Sequence, residues 1–229
     1  IADAGDDGVH SISGADDNQI NGNSISTPTV HGLHLEGASN GASNNNIYST
    51  GRYGVNSTGA MNTISGNSLY SSGDATNEYG VYATGDNTSV LDNLIDQSHD
   101  IGIYLTGAEC DIIGNRIDQP GNDGVKLTGD YCKINDNTIV NSVNDAIEAT
   151  GDYCIIDGNT ILTTQGSSNG IYLIGYESVV SNNFVRSTGG PGIVGGRDYI
   201  AITGNTVQLA GEEGIKCGGD KSAVTGNTI

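Results

Sequence analysis

Two aspartates stand 22 residues apart in matching surroundings, Asn122-Asp123-Gly124 and Asn144-Asp145-Ala146. Carboxylates held side by side are what acid–base or nucleophilic attack on a glycosidic bond needs, with about 5 Å between them in a retaining pair. Lys126 and Glu148 keep the same offset and share one phase with Tyr82, Tyr104 and Tyr172. Tyrosine offers a flat, amphipathic surface on which a sugar ring can rest. Asp123, Asp145 and Glu148 are therefore the candidate catalytic residues. Tyr82, Tyr104, Lys126 and Tyr172 are the candidate substrate-binding residues. Asp100 lies in a similar turn and is expected to border the same groove. The plainer alternative is that Asp and Asn before Gly are turn formers, with Lys126 and Glu148 an ion pair.

A second acidic series, Asp86, Asp130, Asp152, Asp198 and Asp220, follows turns such as Thr128-Gly129. Carboxylates at close spacing repel, and a hard cation such as Ca2+ relieves that with oxygen ligands. Asp130 and Asp152 are the candidate metal residues, and Ca2+ is the one cofactor the sequence leaves open. Beside them, Tyr131, Tyr153 and Tyr199 are expected to pack on one another on a turn. Cys110, Cys132 and Cys154 share one phase, with Cys217 in another. They are open to two readings, a disulfide framework or buried thiols serving as small apolar side chains. No Cys-x-x-Cys or His-rich spacing suggests zinc, and no His has a Ser or Cys partner for a triad.

The elements that must hold these residues are set by a repeat. Gly102–Asp123 reads GIYLTGAECDIIGNRIDQPGND and Gly124–Asp145 reads GVKLTGDYCKINDNTIVNSVND, a period of 22 residues. Coil starts fall at Gly8, Gly32, Gly54, Gly80, Gly102, Gly124, Ala146, Gly170, Gly192 and Gly214. Nearly all are Gly, so that corner needs an unusual conformation or a close approach. Within each period, apolar residues alternate in three short bursts separated by turn residues, the signature of half-buried strands and not of a helix. Three strands per turn, each with one face inward, make a triangular coil. Coils stack in parallel at about 4.8 Å.

The most regular phase is asparagine: Asn23, Asn46, Asn67, Asn93, Asn115, Asn137, Asn159, Asn183, Asn205 and Asn227. A buried amide is costly unless paired. At strand spacing each can bond the next, so this series is expected to form a structural ladder.

Composition supports a narrow core with frequent turns. Gly numbers 36, aromatics are 5%, and Trp is absent. A charge of −19, from 27 acidic against 8 basic residues, argues against nucleic acid or an anionic membrane surface as partner. No apolar stretch is long enough to cross a bilayer.

The repeated Gly-Asn-Thr-Ile elements, Gly158-Asn159-Thr160-Ile161, Gly204-Asn205-Thr206-Val207 and Gly226-Asn227-Thr228-Ile229, resemble the right-handed parallel β-helix superfamily of pectate lyases, polygalacturonases and phage tailspikes. The resemblance runs along the whole chain. It implies an all-β, single-stranded solenoid of about ten coils with three short strands each, a single β-helix domain over 1–229. It does not choose an activity, because the superfamily holds enzymes, adhesins and structural rods. Polygalacturonases place Asp on successive coils as here, but their following Gly-His-Gly element is replaced by Ser168-Asn169-Gly170-Ile171. Nor can the basic residues of a pectate lyase be assembled.

Ile1 shares the phase of Ile229, and neither end carries an amphipathic capping helix. Open solenoid ends template further pairing, so the expectation is a segment of a longer solenoid, or one joined end to end or side by side with copies of itself. The function expected is a secreted, cell-surface or virion-surface rod, structural or adhesive, that contacts polysaccharide. The alternative is a polysaccharide hydrolase or lyase at Asp123 and Asp145.

Overall fold

Each alternating burst needs a bend at both ends, and the backbone supplies one with a left-handed residue. In the coil from Gly124 these are Tyr131 (φ 58°), Asp136 (φ 55°) and Asn141 (φ 58°). The coil before it uses Glu109, Gly114 and Gln119. Left-handed φ costs an L-residue about 1–2 kcal/mol unless it is Gly, Asn or Asp. The middle corner is accordingly Gly, Asn or Asp in all ten coils, from Gly22 to Gly226.

The computed structural model describes residues 1–75 and 77–229. Twenty-nine strands of three to five residues form three parallel sheets of ten, ten and nine strands, and no helix occurs among the described residues. The first sheet runs from Val9–Ser11 to Ile215–Cys217, the second from Gln19–Asn21 to Ala223–Thr225, and the third from Ser24–Ser26 to Thr206–Gln208. Strands follow one another through each sheet in steps of three, so each turn of chain adds one strand to every sheet. The chain winds as a right-handed parallel β-helix of ten coils.

The inside is dry and narrow. First-sheet strands of the middle coils turn two side chains inward, such as Ile103 with Leu105 and Val125 with Leu127. The second sheet contributes Ile112, Ile134 and Ile156, and the third Ile117, Ile139 and Ile161, all fully buried. Gly124 opens its coil without a left-handed φ, so closeness is what demands glycine there. A β-carbon on it would lie 2.5 Å from Ile139 Cγ2 and 2.6 Å from Ala146 O.

The asparagine ladder is continuous. Asn115 donates from its backbone N to Asn137 Oδ1 at 2.9 Å and from Nδ2 to the same oxygen at 3.0 Å. Its Nδ2 also donates to Val90 O of the preceding coil at 2.8 Å. The pattern repeats without a gap from Asn23 to Asn227. One member differs from the expectation. Asn45, not Asn46, occupies the rung between Asn23 and Asn67. Asn46 begins a strand and is exposed. In the run Asn44-Asn45-Asn46 the first residue takes the left-handed bend (φ 54°), which sets the phase one residue earlier.

All four cysteines are free. Cys110, Cys132 and Cys154 are buried and stacked, each thiol pointing at backbone carbonyls such as Gly107 O, 3.5 Å from Cys132 Sγ. Their phase is a second polar column. It begins with Asn18, Asn40 and Asn62 and ends with Ser178, Ile200 and Ser222, and the side chains of Asn40, Asn62, Ser178 and Ser222 each accept a backbone N–H of the coil before.

Removing one rung orphans several buried groups together. Asn137→Ala strips the acceptor from Asn115 N and Nδ2, and each buried donor left unpaired costs about 1–3 kcal/mol. Urea unfolding of Asn137→Ala is expected to show a loss of about 3 kcal/mol, while Lys133→Ala, on the outer surface of the same coil, stays within about 0.5 kcal/mol. Equal midpoints for both variants contradict a stabilising ladder.

Candidate functional site

The first sheet turns its middle residue outward on every strand. Cross-strand register lines up His10, His34, Asn56, Tyr82, Tyr104, Lys126, Glu148, Tyr172, Val194 and Lys216 in one row. The residues immediately before the coil-opening position form a parallel row, in which Asp7, His31, Tyr53, Tyr79, Ile101, Asp123, Asp145 and Asn169 succeed one another. Asp100 does not belong to it. It sits one residue earlier, where its carboxylate accepts the Asn77 N–H at 2.7 Å. Ile101 takes the place in the row and is buried.

Asp123, Lys126, Asp145 and Glu148 meet where the two rows cross the middle coils. Lys126 Nζ is 2.7 Å from Glu148 Oε2. Asp123 is 1% exposed, and its Oδ1 accepts from Asn144 Nδ2 at 2.8 Å and Asp145 N at 3.1 Å. Asp145 Oδ1 accepts from Asn169 N at 2.6 Å and Nδ2 at 3.0 Å. Burial, reinforced by the charges of Glu148 and Asp145, pushes the Asp123 carboxyl up to about 7. Burial also raises Asp145, against the pull of its bonds from Asn169. Burial pulls the Lys126 ammonium down, but its hydrogen bond and ion pair with Glu148 carry it above its ordinary value. The arrangement is a buried acid that retains its proton near neutral pH, beside a half-buried carboxylate that is charge-paired. Two carboxyls with divergent environments are the ingredients of an acid–base pair.

Tyr82 and Tyr104 are part of a larger aromatic group. Tyr53 stacks on Tyr79 at 5.3 Å between ring centroids and 3° between planes, and Tyr82 leans on both, at 5.2 and 5.6 Å. Tyr104 closes on Tyr79 at 5.3 Å, edge to face, and on Tyr82 at 5.5 Å. Burial, with the Asp100 charge behind it, raises the Tyr79 phenol to about 12; burial, then Tyr53, raises Tyr82. The Tyr79 and Tyr82 hydroxyls therefore remain donors near neutral pH. Tyr172 is not in the group, because Lys126 and Glu148 separate it from Tyr104 along the row. Spacing from the central row alone misses Tyr53 and Tyr79. Their signal is present all the same: each directly precedes a coil-opening glycine, the position that holds Asp123.

Histidines extend the track toward the first coils. His31 stacks on Tyr53 at 4.8 Å and meets His34 edge-on at 5.1 Å, and His34 stacks on His10 at 4.3 Å. His31 Nδ1 accepts the Tyr53 N–H at 3.3 Å, so its proton sits on Nε2, 3.4 Å from the Asn56 amide. Turning that amide over gives the proton an oxygen to bond. Burial holds His31 near 4, well below the ordinary imidazole value.

The second acidic series is tied into the turns of the neighbouring coils. Asp130 Oδ1 accepts the Asp152 N–H and Asp152 Oδ1 accepts the Tyr176 N–H, both at 2.8 Å. Asp86 and Asp198 do the same for Ala108 and Asp220. Each carboxylate thus caps the turn of the next coil. Beside them Tyr131 stacks on Tyr153 at 4.7 Å, with both rings exposed.

No curated protein matches the chain in sequence. Solved structures share its fold at low identity. The A-module of Azotobacter vinelandii mannuronan C-5 epimerase AlgE6 superposes with a TM-score of 0.70 at 13% identity, over 90% of this chain and 62% of that one. The Agl-KA catalytic domain gives 0.68 at 15%, over 89% and 53%. The tailspike of E. coli bacteriophage HK620, solved with a pentasaccharide, gives 0.63 at 7%, over 91% and 48%. The chain spans about half to three fifths of the length of these structures. Its sequence matches the family described as "Right handed beta helix region" over residues 7–161 and again over 79–229. The chain is a member of the right-handed β-helix family.

Proposed function

We propose that this chain is a polysaccharide-contacting β-helix of a secreted, cell-surface or virion-surface protein, and that the outward face of its first sheet is the contact. One observation carries the reading: along the two rows of that face, buried Tyr53 and Tyr79 back the partly exposed Tyr82 and Tyr104, and the group ends at Lys126 and Glu148. Aromatic faces with a polar tip suit sugars, which present C–H faces and hydroxyl edges together. From Tyr53 to Tyr172 the face covers five strand steps, about 24 Å at the usual strand spacing, room for several sugar rings. The HK620 tailspike, of similar fold, was solved with a pentasaccharide. The face carries Asp123, Asp145 and Glu148 against Lys126, on a chain of net charge −19. Like charges across an interface oppose binding, so the glycan favoured is neutral rather than a polyuronate.

A second reading, cleavage at the same place, is favoured by the Asp123 carboxyl held near 7 beside Glu148. In that reading Glu148, the more accessible of the two, faces the substrate and Asp123 supplies or holds the proton. Glu148→Gln then abolishes product release from a bound glycan while leaving binding within about twofold; unchanged product release in both Glu148→Gln and Asp123→Asn sinks it.

Binding is checked on an array of neutral and acidic polysaccharides. The face should retain a neutral glycan, and Tyr104→Ala and Tyr82→Ala should each weaken it about tenfold, as expected for an aromatic contact worth ~1.5 kcal/mol. Full binding by the double variant, or no binding of either glycan class by the wild type, contradicts the proposal.

Asp123 also makes a prediction about stability. Its folded carboxyl titrates near 7, above the ordinary value of about 3.9. The folded state therefore holds more protons than the unfolded one between those values, and stability falls as pH rises through that window. Asparagine can keep both accepted bonds through its own Oδ1 without ionising. Thermal unfolding of Asp123→Asn should match the wild type near pH 4 and exceed it near pH 7. A variant less stable than the wild type at pH 7 contradicts a buried, ionisation-resisting carboxyl.

A further inference from the structure

The proposed glycan face does not use its first two coils, yet those coils hold the one place among the described residues where three metal-binding side chains converge: Asp7, His10 and His34. Their ligand atoms all lie within 4.8 Å of one another. Asp7 Oδ2 is 3.0 Å from His34 Nδ1 and 3.7 Å from His10 Nδ1. On the far side of the same rings, Glu36 Oε1 is 3.4 Å from His10 Nε2 and 3.6 Å from His34 Nε2. Asp7 is held in place, with its side chain 8% exposed and its Oδ1 accepting the His31 N–H at 3.0 Å.

Both nitrogens of both rings thus face a carboxylate oxygen. A neutral imidazole donates from one nitrogen only, so in that form each ring turns one lone pair toward an anion. A cation at the Nδ1 edge removes the conflict: the two Nδ1 lone pairs and Asp7 Oδ2 bind it, and each Nε2–H donates to Glu36. An outer carboxylate on the second nitrogen of a ligating histidine is the usual support for such ligands. We propose that Asp7, His10 and His34 form a binding site for a divalent transition metal ion, zinc above all, with Glu36 orienting both imidazoles.

The donor set chooses the metal. Two imidazoles and one carboxylate suit zinc or its neighbours, whereas calcium takes six to eight oxygens. Three protein ligands leave a fourth position open to water. Tetrahedral zinc, with bonds of about 2.1 Å, holds its ligand atoms about 3.4 Å apart. The site reaches that when the two rings, now stacked 9° from parallel, tilt toward a common centre. His10 and His34 are paired by strand register, Val9 with Leu33 and Ser11 with Leu35, so the backbone fixes their separation. The linear sequence hides the set, because His10 and His34 come from different turns of the chain and carry no short-range motif.

Tag-free protein is titrated with Co2+ and then Zn2+ at about pH 8, where an ordinary imidazole is neutral, in excess Ca2+ to occupy the acidic surface. The expected result is one equivalent of Co2+ with visible absorption of a nitrogen-ligated, low-coordinate ion, displaced by one equivalent of Zn2+. His10→Ala and His34→Ala should each weaken binding at least tenfold, and Glu36→Gln about tenfold, in the range seen for outer-shell partners. His99→Ala and Asp130→Asn should leave it unchanged. Circular dichroism checks folding, and Asp7→Asn, whose amide oxygen can still accept the His31 N–H, serves if a histidine variant unfolds. The proposal is overturned if the wild type takes up no Co2+ in excess Ca2+, or if binding persists undiminished in folded His10→Ala and His34→Ala.

Discussion

Each ladder asparagine gives its Oδ1 to two donors of the coil before it and its Nδ2 to a carbonyl there and to the next rung. None of these groups can reach water, so each coil completes the hydrogen bonding of its neighbour or leaves it unpaired. That constraint fixes the register. A slip of one residue would send the amides outward and carry charged side chains into a core with no room for them. Isoleucines 117, 139 and 161, the coil-opening glycines and the three bends per coil all follow from keeping the amides in line.

Fixed register is what turns a repeat into a surface. On the first sheet the outward row changes identity coil by coil while the inward residues hardly change, so histidines, then tyrosines, then a Lys126–Glu148 pair pass along one flat face. The scaffold places each at a separation set by strand spacing, with few degrees of freedom left to the side chain. The same rigidity explains how a destabilising group is tolerated. Asp123 sits almost fully buried with two accepted bonds, in a frame held by other interactions. Buried carboxyls with raised protonation are a recurrent mark of functional positions.

Much of this was legible in the sequence. The period, the coil starts and the outward row from His10 to Lys216 could be read because strand alternation has period two and a one-residue error exposes itself at once. Failures came where several residues of one type adjoin or where a turn residue was read by type and not by phase. In Asn44-Asn45-Asn46 nothing in the side chains says which amide turns inward; the left-handed bend at Asn44 decides it. Asp100 resembles Asp123 chemically but lies one residue earlier, and Ile101 takes the slot. Asp130 and Asp152 each accept the N–H of the next coil, a capping role that residue type alone does not announce. The aromatic group of Tyr53, Tyr79, Tyr82 and Tyr104 and the Asp7, His10 and His34 cluster join side chains from two rows, and a reading along single columns does not bring rows together.

The stacked amides are tested most directly by hydrogen exchange of the asparagine side chains, resolved by NMR. If each inner amide is locked between two coils, the Nδ2 protons of Asn93, Asn115, Asn137, Asn159 and Asn183 exchange as slowly as the strand backbone amides beside them. Exchange of those protons at the rate of the exposed Asn46 side chain would mean that the rungs are not joined, and the register, the face and the sites built on it would lose their foundation.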